Sequence, residues 1–128
     1  GSYTPFSYHA LPSPTRWWVL GIVWGGALAG MALKIVWPDA PRWLGVALYI
    51  GLGWVILVQA TTLIQYSGWL IIALLAAGGV LYSVGGVLYA LRWPNPWPET
   101  FGHHEFFHAA TVVAALCHYT AIWLLLLR

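Results

Sequence analysis

WLIIALLAAGGVLYSVGGVLYAL, residues 69–91, runs without a single charged side chain. A helix needs about 20 apolar residues to cross the hydrocarbon core of a bilayer, so this stretch predicts a membrane-spanning helix. Working outward, Ser67-Gly68 precedes it as a minimal turn, and Arg92-Trp93-Pro94-Asn95-Pro96-Trp97-Pro98-Glu99 follows as a proline-broken loop. Upstream, a second apolar stretch covers about 43–64, with Gln59, Thr61, Thr62 and Gln65 as its polar tail. The turn Trp37-Pro38-Asp39-Ala40-Pro41-Arg42 separates it from another span at about 17–37. That span is apolar except for Lys34, whose stem lets the ammonium reach the interface. It is too long for a signal peptide, and no small-residue cleavage site follows. A last span runs from about 100 to 127, with Thr100 as its expected N-cap. The opening residues 1–16, with three prolines, read as a helix end followed by a loop.

Composition agrees. Of 128 residues 61% are hydrophobic and 6% charged, far below the charge that keeps a small soluble domain hydrated. No basic stripe is present, which excludes a nucleic-acid binder. Cys117 is the sole cysteine, so neither an internal disulfide nor a cysteine-based zinc cage is available within the chain. The expected fold class is all-α, a polytopic transmembrane bundle in one region, 1–128, with the lipid bilayer as its partner. Tryptophans near most span ends fit an interfacial belt. Lys34, Arg42 and Arg92 on one side, against Arg16 and Arg128 on the other, place the loops near 38–42 and 92–99 in the cytoplasm.

Glycine spacing predicts how the spans pack. Gly21-x-x-x-Gly25 and Gly26-x-x-x-Gly30 are small-residue patterns that let helices approach closely. GGVLY occurs at 78–82 and again at 85–89, nearly two turns apart, which predicts a packing seam on one face. Tyr82, Ser83 and Tyr89 either point polar groups into the bundle, or bond locally or sit near an interface.

The chemistry concentrates in FGHHEFFHAATVVAALCH, residues 101–118. His104 and His108 are one turn apart, so their imidazoles project from the same helix face. Two imidazoles in this arrangement suit zinc, copper, iron or nickel. The competing reading makes them polar residues at the interface. His104-Glu105-Phe106-Phe107-His108 also fits H-E-x-x-H, in which the glutamate serves an intramembrane metalloprotease as general base. A zincin needs a third ligand, however, and the residues after His108 contain no Asp or Glu. His118 lies about 15 Å further along the helix and cannot share that metal. Bis-histidine haem would need a histidine on a facing span, and the other spans have none.

FGHHEFFH with His118-Tyr119 downstream, GGVLYSVGGVLYAL before it and GSYTPF at the start together resemble the hemolysin III family. These are bacterial relatives of the progestin and adipoQ receptors, grouped with alkaline ceramidases as membrane hydrolases. The resemblance implies a seven-helix fold whose zinc is held by one histidine on helix two and two on helix seven. A helix-three aspartate and a water complete that site. His104 and His108 match the helix-seven ligands; nothing here matches the other histidine or the aspartate. The chain therefore reads as a C-terminal piece holding helices four to seven. The missing helices, or another chain, would complete the bundle. The implied function is zinc-dependent hydrolysis, with a lipid amide as substrate, in the bacterial inner membrane. Glu105 points about 100° away from His104, which leaves it either a role orienting a ligand or water, or a packing role. The piece alone is expected to bind zinc weakly and to lack activity. A non-enzymatic protein that modulates membrane permeability or state is the alternative.

Overall fold

In a computed structural model, residues 1–97 and 99–127 are described. Pro98, part of the 92–99 loop, and Arg128, part of the charge count that orients the chain, lie outside the described residues. Helix α1 spans Tyr3–Ala10 and α2 Ser13–Val36. Helix α3 spans Arg42–Trp54, and a 3-10 segment, Val55–Gln59, joins it to α4, Ala60–Ser67. Helices α5, Trp69–Leu91, and α6, His103–Leu126, complete the chain. Among the described residues four stretches are long and apolar enough to cross a membrane: α2, the broken rod Arg42–Ser67, α5 and α6. The protein is a multi-pass helical membrane protein, and the bilayer covers the apolar faces left outside.

Helix ends follow local chemistry. Pro14 opens α2, where its missing N–H costs nothing. Gly68, at φ 76°, makes the sharp break between α4 and α5 that a residue with a Cβ would resist. Arg92 closes α5 at φ 54°, with Trp93 N–H on the Leu88 carbonyl and Arg92 N–H on that of Tyr89. This is the bond pattern of a Schellman cap, built on arginine instead of the usual glycine.

The rod at 42–67 is not one α-helix. Its 3-10 step at Val55–Gln59 frees backbone groups, and the Tyr3 hydroxyl meets them. That hydroxyl accepts from Ile56 N–H at 2.9 Å and shares its proton between the Gly53 and Leu52 carbonyls at 2.8 and 3.0 Å. Inside a membrane such groups find no water, so a side chain from another helix must satisfy them.

The seam expectation holds with a refinement. The doublets face two neighbours rather than one. Gly78 lies against His118 and Ala114 of α6, and Gly85 lies against Ala110 and Phe107. Gly79 faces Trp54, and Gly86 faces Val46 and Ile50, all on α3. Adjacent residues are about 100° apart on a helix, so two consecutive glycines serve two partners. The reading of α2 needs correction. Among the described residues, only Gly26 of its four patterned glycines is approached, by Leu52; Gly21, Gly25 and Gly30 have nothing within 4 Å of a would-be Cβ. Thr100 is not the N-cap of α6 either. It sits in a turn closed on Trp97, and Gly102 is the N-cap.

The buried core gathers Phe6, Leu63, Ile71 and Ala121 at the end where α5 begins and α6 finishes. The histidine pair lies at the other end of α6, about 20 Å away by helical rise from His108 to Ala121.

Candidate metal centre

Helix α6 starts from Gly102, buried where a Cβ would collide with the Asn95 side chain. The Glu105 carboxylate turns back and accepts from the Gly102 N–H at 2.8 Å. This bond satisfies one of the free donors of the first helical turn and fixes where the helix begins. One turn further, His104 and His108 present their rings at 86° to one another, centroids 4.5 Å apart. Their Nε2 atoms are 3.0 Å apart, one ring donating and the other accepting.

This geometry can be compared with a metal. Two nitrogens at about 2.0–2.1 Å from a tetrahedral zinc stand roughly 3.3 Å from each other. The separation is within a few tenths of an ångström of that value, so with both Nε2 atoms deprotonated and the rings turned towards a common point the pair would suit two of its four positions. Among the described residues no group of three or more His, Cys, Asp or Glu side chains is placed to hold a metal. The fit is thus to a partial donor set.

Around the pair stands an aromatic wall. Tyr89 of α5 packs against Phe107 at 5.1 Å between centroids and lies 6.1 Å from His104 and 6.2 Å from His103. On its other side the Arg42 guanidinium sits 5.7 Å from the Tyr89 centroid, a cation–π distance. The sequence left the direction of Tyr89 open; its neighbours place it between α5 and α6. Ser83 does both things considered for it, donating to the Gly79 carbonyl and accepting from the Trp54 indole, each at 2.8 Å. Tyr82 turns inward, edge-on to Tyr49 and to His118.

His118 stands apart from the pair. Its Nε2 is 3.3 Å from the Leu75 carbonyl and its ring lies flush on Gly78, a packing role in the α5–α6 seam. Asn95 over Gly102 and Arg42 beside Tyr89 were not anticipated. Neither leaves a sequence signal, because each depends on how a loop or span end folds back.

The sequence profile of the family described as Haemolysin-III related matches residues 1–119. The chain is 32% identical over 108 residues to Hemolysin-3 of Bacillus cereus, covering 84% of this chain and 47% of that protein. It is 31% identical over 109 residues to a Hemolysin-3 homolog of Bacillus subtilis (strain 168), covering 85% and 48%. It is 42% identical over 60 residues to an adiponectin receptor protein of Drosophila melanogaster, covering 43% and 12%. No solved structure matches. The chain spans about half the length of the bacterial relatives it matches. With its four membrane-crossing stretches and a profile match over nearly its whole length, the chain belongs to the haemolysin III-related family of membrane proteins.

Proposed function

We propose that this chain is the part of a zinc-dependent membrane hydrolase that supplies two of the metal's protein ligands, His104 and His108. The observation that carries this reading is the 3.0 Å separation of their Nε2 atoms on one exposed face of α6. The remaining ligands would come from the rest of a longer chain or from a second one. Zinc, when bound, supplies Lewis acidity that activates water and polarises a carbonyl. Helix α6 holds both imidazoles in register, and the Glu105–Gly102 bond fixes the turn from which they project. Tyr89 and Phe107 restrict water on the α5 side of the pair. The pair stands at the end of the bundle bearing the 38–42 and 92–99 loops, which we place on the cytoplasmic face of a bacterial inner membrane. A lipid amide, whose linkage lies near the headgroup level, fits a site at the end of a membrane-crossing helix.

The metalloprotease reading is less well supported. A general base must point at the metal's open position, whereas the Glu105 carboxylate is engaged by a backbone N–H behind the helix start. The Bacillus relatives are named hemolysins and the fly relative an adiponectin receptor; neither name specifies a reaction. The test is hydrolysis of a ceramide-like amide by the protein extended to the length of its relatives. Turnover abolished by a chelator, and by His108→Ala, supports the proposal. Membrane permeabilisation that persists with chelator and without turnover favours the non-enzymatic alternative. Peptide cleavage lost in Glu105→Gln favours the protease.

A further inference from the structure

Between α2 and α3, at the end carrying the Trp37–Pro41 turn, lies a groove of about 830 Å³. Its volume is within the roughly 300–1,000 Å³ range of clefts that enclose a ligand. Small apolar residues form part of each wall. Ala27 and Gly30 line it from α2, Gly45 and Val46 from α3. A Cβ at Gly30 would meet nothing within 4 Å, and one at Gly45 would meet only the Lys34 Cε, at 4.0 Å. The two helices touch at Gly26 and Leu52, so the groove is held open rather than collapsed.

Its mouth is charged. Lys34 lays its stem over Gly45, and Arg42, three residues before Gly45 on α3, lines the same groove, so two cations border it at this end. Among the described residues Asp39 is the one carboxylate of the lining, which leaves these three side chains with a net charge of +1 from two cations and one anion. Tyr89, against which the Arg42 guanidinium rests, also lines the groove. An apolar slot opening at a cationic rim complements a molecule with an anionic head and a hydrocarbon tail.

We propose that the groove between α2 and α3 seats an anionic glycerophospholipid, with its phosphate between Lys34 and Arg42 and one acyl chain along Gly30 and Gly45. The site requires neither His104 nor His108 and stands or falls independently of the metal reading. Each basic residue at a membrane surface favours anionic lipid by about fivefold.

The test is lipid retention. The purified protein in detergent is offered phosphatidylglycerol or phosphatidylcholine, and bound lipid is read by native mass spectrometry. Phosphatidylglycerol is expected to be retained in preference, with roughly a fivefold loss for Lys34→Gln and again for Arg42→Gln. Gly30→Leu, which fills the slot and keeps both cations, should lose both lipids. Gly21→Leu, whose position is equally open but outside the groove, should keep them. Equal retention of the two headgroups would overturn the proposal, as would a Gly30→Leu variant that binds phosphatidylglycerol like the parent. Full displacement by inorganic phosphate, or a lipid-free dimer with a second copy filling the groove, would overturn it too.

Discussion

Gly78→Ala and Gly79→Ala place the same methyl group at adjacent positions of α5, yet only the first should destabilise the bundle. A Cβ at Gly79 meets Trp54 carbons at 3.6 Å, an ordinary contact. One at Gly78 meets the Ala114 carbonyl oxygen at 3.1 Å and falls within the His118 ring. The ring can rotate away only by giving up its contact with the Leu75 carbonyl, about 0.5–1.5 kcal/mol. The Ala114 oxygen is backbone and cannot rotate, so α5 and α6 must separate slightly along the most extensive helix pairing of the fold. Overpacking of this kind costs about 1–3 kcal/mol. Helix propensity cancels, since both variants replace glycine by alanine mid-helix. The assay is unfolding in mixed micelles, followed by tryptophan fluorescence. Gly78→Ala should be less stable than Gly79→Ala by about 1–3 kcal/mol. Adding His118→Ala to Gly78→Ala should recover part of the loss, a coupling seen in a double-mutant cycle. Equal stabilities for the two single variants would refute the seam assignment.

Tyr3→Phe removes the hydroxyl that serves Gly53, Leu52 and Ile56 at the break in the second span; it should cost about 1–3 kcal/mol, read in the same unfolding assay. If it costs nothing, the backbone groups at the break have another partner. Glu105→Ala should lower stability through loss of the cap to Gly102. Glu105→Gln keeps an acceptor oxygen and should recover most of that; metal content should be unchanged in both, and loss of metal with Glu105→Gln would assign the carboxylate to the site. Gly102→Ala should destabilise the start of α6, because its methyl would meet Asn95; thermal melting as stable as the parent would show that Asn95 yields freely.

Spans are legible in this sequence because the membrane forbids charge within them and because prolines or glycines stand between them. The histidine pair is legible for a similar reason: helical spacing alone sets two side chains four residues apart on one face. What depends on a neighbour is not legible. Nothing in Val55–Gln59 marks a departure from α-helix, and the backbone groups it frees find their partner in the Tyr3 hydroxyl of another helix. The small-residue pattern of α2 suggested close packing, but a glycine only permits approach; Gly26 is met by Leu52, while Gly30 lines an open groove. Thr100 has good capping chemistry, yet the turn from Trp97 draws it away and the carboxylate of Glu105 reaches Gly102 instead. Tyr89 acquires its place from Arg42 and Phe107, which belong to two other helices.

The most direct test of the account is the zinc content of the purified protein, extended to the length of its relatives, in the parent form and in His104→Ala and His108→Ala. The two histidines are predicted to act on one ion. The parent should then carry zinc in one-to-one amount, and either substitution alone should remove it while the helical circular dichroism is retained. Zinc that stays at parent level in both variants would contradict the assignment of this pair as ligands.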